Sequence, residues 1–114
     1  MKIFLFSSNN KIKDSIVFYK KGSGFFEKSY SPFDKEDLLI LQNKKDTFYK
    51  YRALETDFYC KIVKLNKKNF KSTCGNIDST RFKYRFSIYY KNDFNVYRIE
   101  SILGKKTENY YIQN

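Results

Sequence analysis

The sequence predicts an α+β fold, predominantly antiparallel β, built as a curved sheet or small barrel with one short helix at about residues 34–42. Three observations carry this expectation. Apolar residues recur with period two over most of the chain, the pattern of half-buried strands. Tyr and Phe together make up 20% of 114 residues and there is no Trp, a composition that suits pleated sheets and ring-on-ring packing. One segment only, SPFDKEDLLILQN, carries the marks of a helix start. The length fits one domain, 1–114, large enough for a single core.

The elements follow in order. KIFLFSS, residues 2–8, is apolar on both faces and reads as a central strand. DSIVFYKKGSGFFEKSYS reads as a hairpin turning at Gly22-Ser23-Gly24, where glycine tolerates the positive φ of a tight loop. In the next segment Asp34 suits an N-cap, Phe33 and Leu38 a hydrophobic staple, and Glu36 and Asp37 the positive end of a helix dipole. The same LLILQ also fits a buried strand. Residues 46–65 admit two readings. Tyr51, Leu54, Phe58, Ile62 and Leu65 keep helical spacing. Their Tyr, Phe, Ile and Val content favours a hairpin, Phe48–Leu54 against Phe58–Leu65 around ETD, and that reading is preferred.

RFKYRFSIYYK and FNVYRIESIL form a hairpin about Asn92-Asp93. A two-residue loop fixes the register. It sets Tyr90 opposite Asn95, Ile88 opposite Tyr97 and Phe86 opposite Ile99 on the apolar face. On the other face Ser87 meets Arg98 and Arg85 meets Glu100. Gly104-Lys105-Lys106 ends the strand, and ENYYIQN adds a short last one.

The net charge is +11, unevenly placed. Residues 1–57 hold 11 Lys/Arg and 8 Asp/Glu, and residues 58–114 hold 12 and 4. A surplus of that size destabilises a compact chain by self-repulsion unless a polyanion offsets it. Codon bias toward Lys, Asn, Tyr, Phe and Ile accounts for the total less awkwardly than for the loss of acids in the second half. No apolar run approaches the ~20 residues of a spanning helix, and the N-terminus is too weakly basic and its apolar run too short for a signal peptide. A cytoplasmic protein without membrane contact is expected, although a secreted form with its signal removed would look the same. Cys60 and Cys74 are too few for a disulfide framework and read as reduced, with a single bridge as the alternative.

The chain has no histidine, which removes Ser-His-Asp and Cys-His nucleophile pairs, the histidine general base and His-based zinc sites. No phosphate-loop or dinucleotide motif is present. KKGSG offers glycine N–H groups beside Lys20 and Lys21 but lacks a following helix, so it reads as a turn. Glu55, Asp57 and Lys61, and separately Asp34, Glu36 and Asp37, read as a solvated turn and a capped helix rather than metal sites. No cofactor or metal is expected.

Histidine-free RNA cleavage stays open, because RNA supplies its own 2′-OH nucleophile. Lys83, Arg85, Arg98, Lys105, Lys106, Tyr110 and Tyr111 are groups able to orient it, stabilise a phosphorane and move a proton. The run YRFSIYYKNDFNVYRIESILGKKTENYY resembles the C-terminal strands of bacterial RelE-like toxins: a Tyr-Arg strand, a turn, a second strand, then a basic tail with Tyr. That resemblance covers about a quarter of the chain and implies a metal-independent endoribonuclease. Residues 9–45 depart from it, lacking the long amphipathic helical pair of those toxins.

The favoured expectation is a small basic protein that binds nucleic acid, single-stranded RNA or DNA in preference to duplex, and is not an enzyme. Lys83, Arg85 and Arg98, helped by Lys61, Lys64, Lys67, Lys68 and Lys71, would hold phosphates, and Tyr59 and Tyr89 would stack on bases. A protein partner, as for an inhibitor or immunity factor of a mobile element, is the third reading.

Overall fold

A computed structural model describes residues 2–6, 12–27, 38–53, 56–77 and 83–111. Every element among them is a strand. β1 (Lys2–Phe6) and β2 (Ile12–Val17) form a two-stranded antiparallel ribbon. β3 (Tyr19–Lys21), β4 (Gly24–Glu27) and β5 (Leu38–Gln42) form a three-stranded antiparallel sheet. β6 (Thr47–Ala53), β7 (Thr56–Lys64), β8 (Asn69–Asn76), β9 (Tyr84–Lys91), β10 (Val96–Leu103) and β11 (Lys106–Tyr111) form a six-stranded meander in sequence order.

The expected α+β class is corrected to all-β. Leu38–Gln42 is strand β5, paired with β4; the rest of the expected helix, 34–37, lies outside the described residues. Four consecutive aliphatic residues decide the matter. Ile40 and Leu41 are both buried, with Leu38 and Leu39 packed against the core. A bulge at Ile40 in the β4–β5 pairing lets neighbouring Ile40 and Leu41 both enter the core, whereas a short helix would leave one face of LLIL to solvent. The sheets are open: β6 and β11 are the two edges of the meander and do not pair with each other, so the barrel alternative is also overturned. β1 pairs with β2 alone among the described strands rather than lying centrally. The turn at Gly22-Ser23 is as expected, but its first arm is only Tyr19–Lys21, since Ile12–Val17 pairs with β1 instead. The pairing of β6 with β7 across 46–65 is as expected.

The three-stranded sheet covers one face of the meander. Phe18, Ile40 and Leu41 meet Ile62, Phe70, Ile88, Tyr90, Val96 and Ile99 in one buried cluster. Two tyrosines fasten the layers. The Tyr49 hydroxyl donates to the Leu39 carbonyl at 2.8 Å, and the Tyr90 hydroxyl donates to the Gln42 carbonyl at 2.7 Å. The Gln42 N–H in turn donates to the Tyr90 oxygen at 3.3 Å. Buried Gln42 also organises the turn into β6, accepting from the N–H groups of Lys44 and Lys45 and donating to the Lys45 carbonyl.

The β9–β10 hairpin differs from expectation in an instructive way. Phe94 takes a left-handed conformation, φ 68°; its N–H donates to the Lys91 carbonyl and the Lys91 N–H to the Asn95 carbonyl. The loop therefore has three residues, a turn closed by a left-handed residue. A bulge between Val96 and Arg98 adds another residue to β10. Each feature moves the register by one, and two moves restore the original face. Tyr90 opposes Val96, Ile88 opposes Ile99, Ser87 opposes Glu100, Tyr89 opposes Arg98 and Arg85 opposes Ile102. From Arg98 onward the faces are those expected and the partners are not. Before the bulge Val96 and Tyr97 exchange faces, Val96 entering the core and Tyr97 lying beside Tyr89 on the outer face. Phe94 sits in a conformation unfavourable for a bulky residue because its ring is anchored edge-on to Phe25 at 4.9 Å and parallel to Tyr90 at 6.2 Å.

Burial holds the Tyr90 phenol neutral, pushing it from 10 up to about 12, partly offset by the N–H of Gln42. Burial also raises Tyr49 and Tyr84. The folded chain thus keeps protons that the unfolded chain releases near pH 10. Stability is fully present below pH 10 and declines as pH rises toward 12. Unfolding midpoints followed by circular dichroism between pH 8 and 12 are expected to show that decline. Tyr90→Phe is expected to cost about 1–3 kcal/mol at neutral pH, because the buried Gln42 carbonyl loses its donor, and to flatten the alkaline decline. An unchanged neutral midpoint in that variant would contradict the fastening role.

Candidate nucleic-acid interface

Strand register assigns each predicted residue to a face. Residues paired across antiparallel strands share a side. Starting from buried Ile62, the core face runs through Ser72, Ile88 and Ile99. The outer face, turned away from the three-stranded sheet, is crossed by three rows. The first is Val63, Lys71, Tyr89 and Arg98. The second is Phe48, Lys61, Thr73, Ser87, Glu100 and Asn109. The third is Lys50, Tyr59, Gly75, Arg85, Ile102 and Thr107.

Of the predicted residues, Tyr59, Lys61, Lys71, Arg85, Tyr89 and Arg98 come together on this face. Lys64, Lys67 and Lys68 do not. Lys64 ends β7 on the other parity, opposite Phe70. Lys67 and Lys68 lie in the β7–β8 turn, which Asn66 closes by accepting from the N–H groups of Lys68 and Asn69, each at 3.0 Å. The Asn92 N–H donates to the Lys68 carbonyl and the Asn43 side chain to the Asn92 carbonyl. Three turns therefore meet at one end of the sheet, where Lys44, Lys45, Lys67, Lys68 and Lys91 are all exposed. Lys83 lies at the opposite end, just before β9, its carbonyl accepting from Gly104.

The floor of the face is small and polar. Thr73 and Ser87 are 3% and 1% exposed and their hydroxyls are hydrogen-bonded at 3.2 Å. Long side chains rise around them. Lys71 Nζ lies 5.2 Å, and Arg98 Cζ 4.8 Å, from the Tyr89 ring centroid, approaching from the strands on its two sides. Such contacts hold a cation in place at about 0.5–1 kcal/mol each at exposed sites. Arg98 also donates to Asn109 at 2.9 Å and to Glu100 at 3.3 Å. Its carboxylate partner is thus Glu100, two residues along its own strand, and Arg85 faces Ile102 instead. The Arg52–Asp57 pair at 3.4 Å is largely exposed and contributes little.

Phe48, Lys50, Arg52 and Tyr97 also belong to this face and do not stand out in the sequence. The signal of Phe48, Lys50 and Arg52 is the alternation in TFYKYRA, obscured there by the competing helical spacing. Tyr97 reaches the face through the bulge before Arg98, which the alternation does not show. Among the described residues, Cys60 and Cys74 oppose one another in β7 and β8 and are joined as a disulfide, correcting the reduced state expected for them. No helix among the described residues is long and apolar enough to cross a membrane.

The groups named for RNA cleavage are divided. Arg85 and Arg98 are on the outer face. Lys106 and Tyr110 are on the other, where both contact Glu108. The strand–turn–strand order implied by the toxin resemblance is present in β9–β11, while no helix occurs among the described residues. Comparison with protein families, characterised proteins and solved structures gave no match.

Proposed function

We propose that this protein binds nucleic acid, single-stranded in preference to duplex, on the outer face of the six-stranded sheet, without catalysing a reaction on it. The observation that carries the reading is the gathering of Lys61, Lys71, Arg85 and Arg98 with Tyr59 and Tyr89 on one face. Cations at strand spacing hold a phosphate backbone, and rings between them meet bases that are free to splay. A broad sheet face does not enter a duplex groove as a helix or two-stranded ribbon does, so an unpaired strand is the better fit. The exposed lysines of the turn end extend the positive surface beyond the face.

The test is a salt titration with a labelled single-stranded oligonucleotide and its duplex. Each phosphate contacted contributes about −0.7 to the slope of log K against log salt on single strands. Contacts from the four central cations predict a slope of about −3 by that rule, with weaker binding to the duplex. A binding constant indifferent to salt, or no binding at low salt, would sink the reading.

A further inference from the structure

We infer that the Phe48–Tyr59 corner of the outer face is a stacking subsite for one unpaired nucleobase, with Lys50 and Lys61 holding the phosphates beside it. This rests on the nucleic-acid reading above and gives it a place where bases are recognised. Phe48 is 60% exposed on edge strand β6. An aromatic ring left so open at a sheet edge contributes little to the core and presents a surface that favours burial. It is also oriented. Its ring and that of Tyr59 are nearly parallel, 17° apart in plane with centroids 6.3 Å apart.

The surroundings have the matching charge. Lys61 is directly opposite Phe48, and Lys50 directly opposite Tyr59. Rings and cations therefore alternate as a two-by-two checkerboard. Together with Ile77 these four residues line a shallow, open depression of about 330 Å³. Among the described residues, no carboxylate lines it. The arrangement suits a flat, neutral base with negative charge on either side.

Tyr89 is the poorer stacking residue. Lys71 and Arg98 already lie against its ring, so a base there would have to displace a cation. Tyr89 positions the phosphate-binding cations, while Phe48 and Tyr59 receive the base.

The test compares Phe48→Ala and Phe48→Tyr with the wild-type chain. Phe48 is mostly exposed, so both variants are expected to keep the wild-type unfolding midpoint. Phe48→Ala is expected to bind the single-stranded oligonucleotide about tenfold or more weakly, the range for one lost base stack, with an unchanged salt slope. Phe48→Tyr is expected to restore binding. A strand of the same length without bases should bind the wild type at least as weakly as the intact strand binds Phe48→Ala, because it also loses contact with Tyr59. Equal affinity of wild type and Phe48→Ala for the intact strand would overturn the subsite. So would equal affinity of the wild type for intact and baseless strands, or equal competition by a sulfated polysaccharide of matched charge. Failure of the wild type to bind any oligonucleotide would instead remove the nucleic-acid reading, which separates the two failures.

Discussion

Replacing Gly75 by valine is expected to lower the stability of the protein by about 3 kcal/mol, the upper part of the usual range for forcing extra atoms into a packed site. Gly75 lies in β8, between β7 and β9. A Cβ there would stand 2.6 Å from the Tyr84 carbonyl oxygen and 3.4 Å from Arg85 Cα and Tyr59 Cε1. The first of these is backbone and cannot rotate away, so the β8–β9 pairing must move. Gly75→Ala meets the same obstruction and should show most of the loss. Gly104 makes the useful contrast. Its φ is +63°, and a Cβ there would meet nothing within 4 Å. Its requirement is conformational alone, and Gly104→Ala should cost about 1–2 kcal/mol for a left-handed residue. Urea unfolding of the three variants would check the order. A wild-type midpoint in Gly75→Ala would refute the steric account.

The consequence extends to the interface. Tyr59 lies opposite Gly75 and its ring reaches over the missing side chain. The glycine thus supplies a low floor on which an aromatic ring can rest.

Much of this face is legible in the alternation of the chain, for a definite reason. Side-chain direction in a strand has period two, and the β9–β10 register differs from that of a two-residue loop by two shifts, one from left-handed Phe94 and one from the following bulge. Parity survives, so Arg85, Tyr89 and Arg98 fall on the expected side with different partners. Parity does not help where the element type is in doubt. Phe48 and Lys50 are hidden because the three-four spacing from Tyr51 to Leu65 leaves 46–65 ambiguous. The short helix fails for a related reason. Asp34, Glu36 and Asp37 are good capping residues, but local capping is worth about 1 kcal/mol, less than burying Ile40 and Leu41 with Leu38 and Leu39 packed against the core. The layer contacts from Tyr49 and Tyr90 to β5 carbonyls are illegible, since they join segments 10 and 48 residues apart with no marker in either.

Removing the Cys60–Cys74 bridge, by reductant or by Cys60→Ala with Cys74→Ala, is expected to lower stability by roughly 3 kcal/mol, the entropy of closing a loop of about 15 residues. The two cysteines are 14 apart in sequence and lie directly opposite in the β7–β8 pairing. Cys60 is 1% exposed. The bridge therefore fixes the register that places Tyr59 beside Gly75 and Lys61 beside Thr73 on the other face. β6 is an edge strand and reaches the rest of the meander only through β7. The staple thus secures the hairpin that carries Phe48, Lys50, Tyr59 and Lys61. Loss of the bridge should lower the unfolding midpoint and speed amide exchange in β6 and β7 before β9 and β10, whose central residues are held in the core by Ile88, Tyr90 and Ile99. Equal exchange in oxidised and reduced protein would show that pairing alone sets the register. A bridge of this kind persists in oxidising surroundings and is rare in reducing ones, so the oxidised chain is the form on which oligonucleotide binding should first be measured.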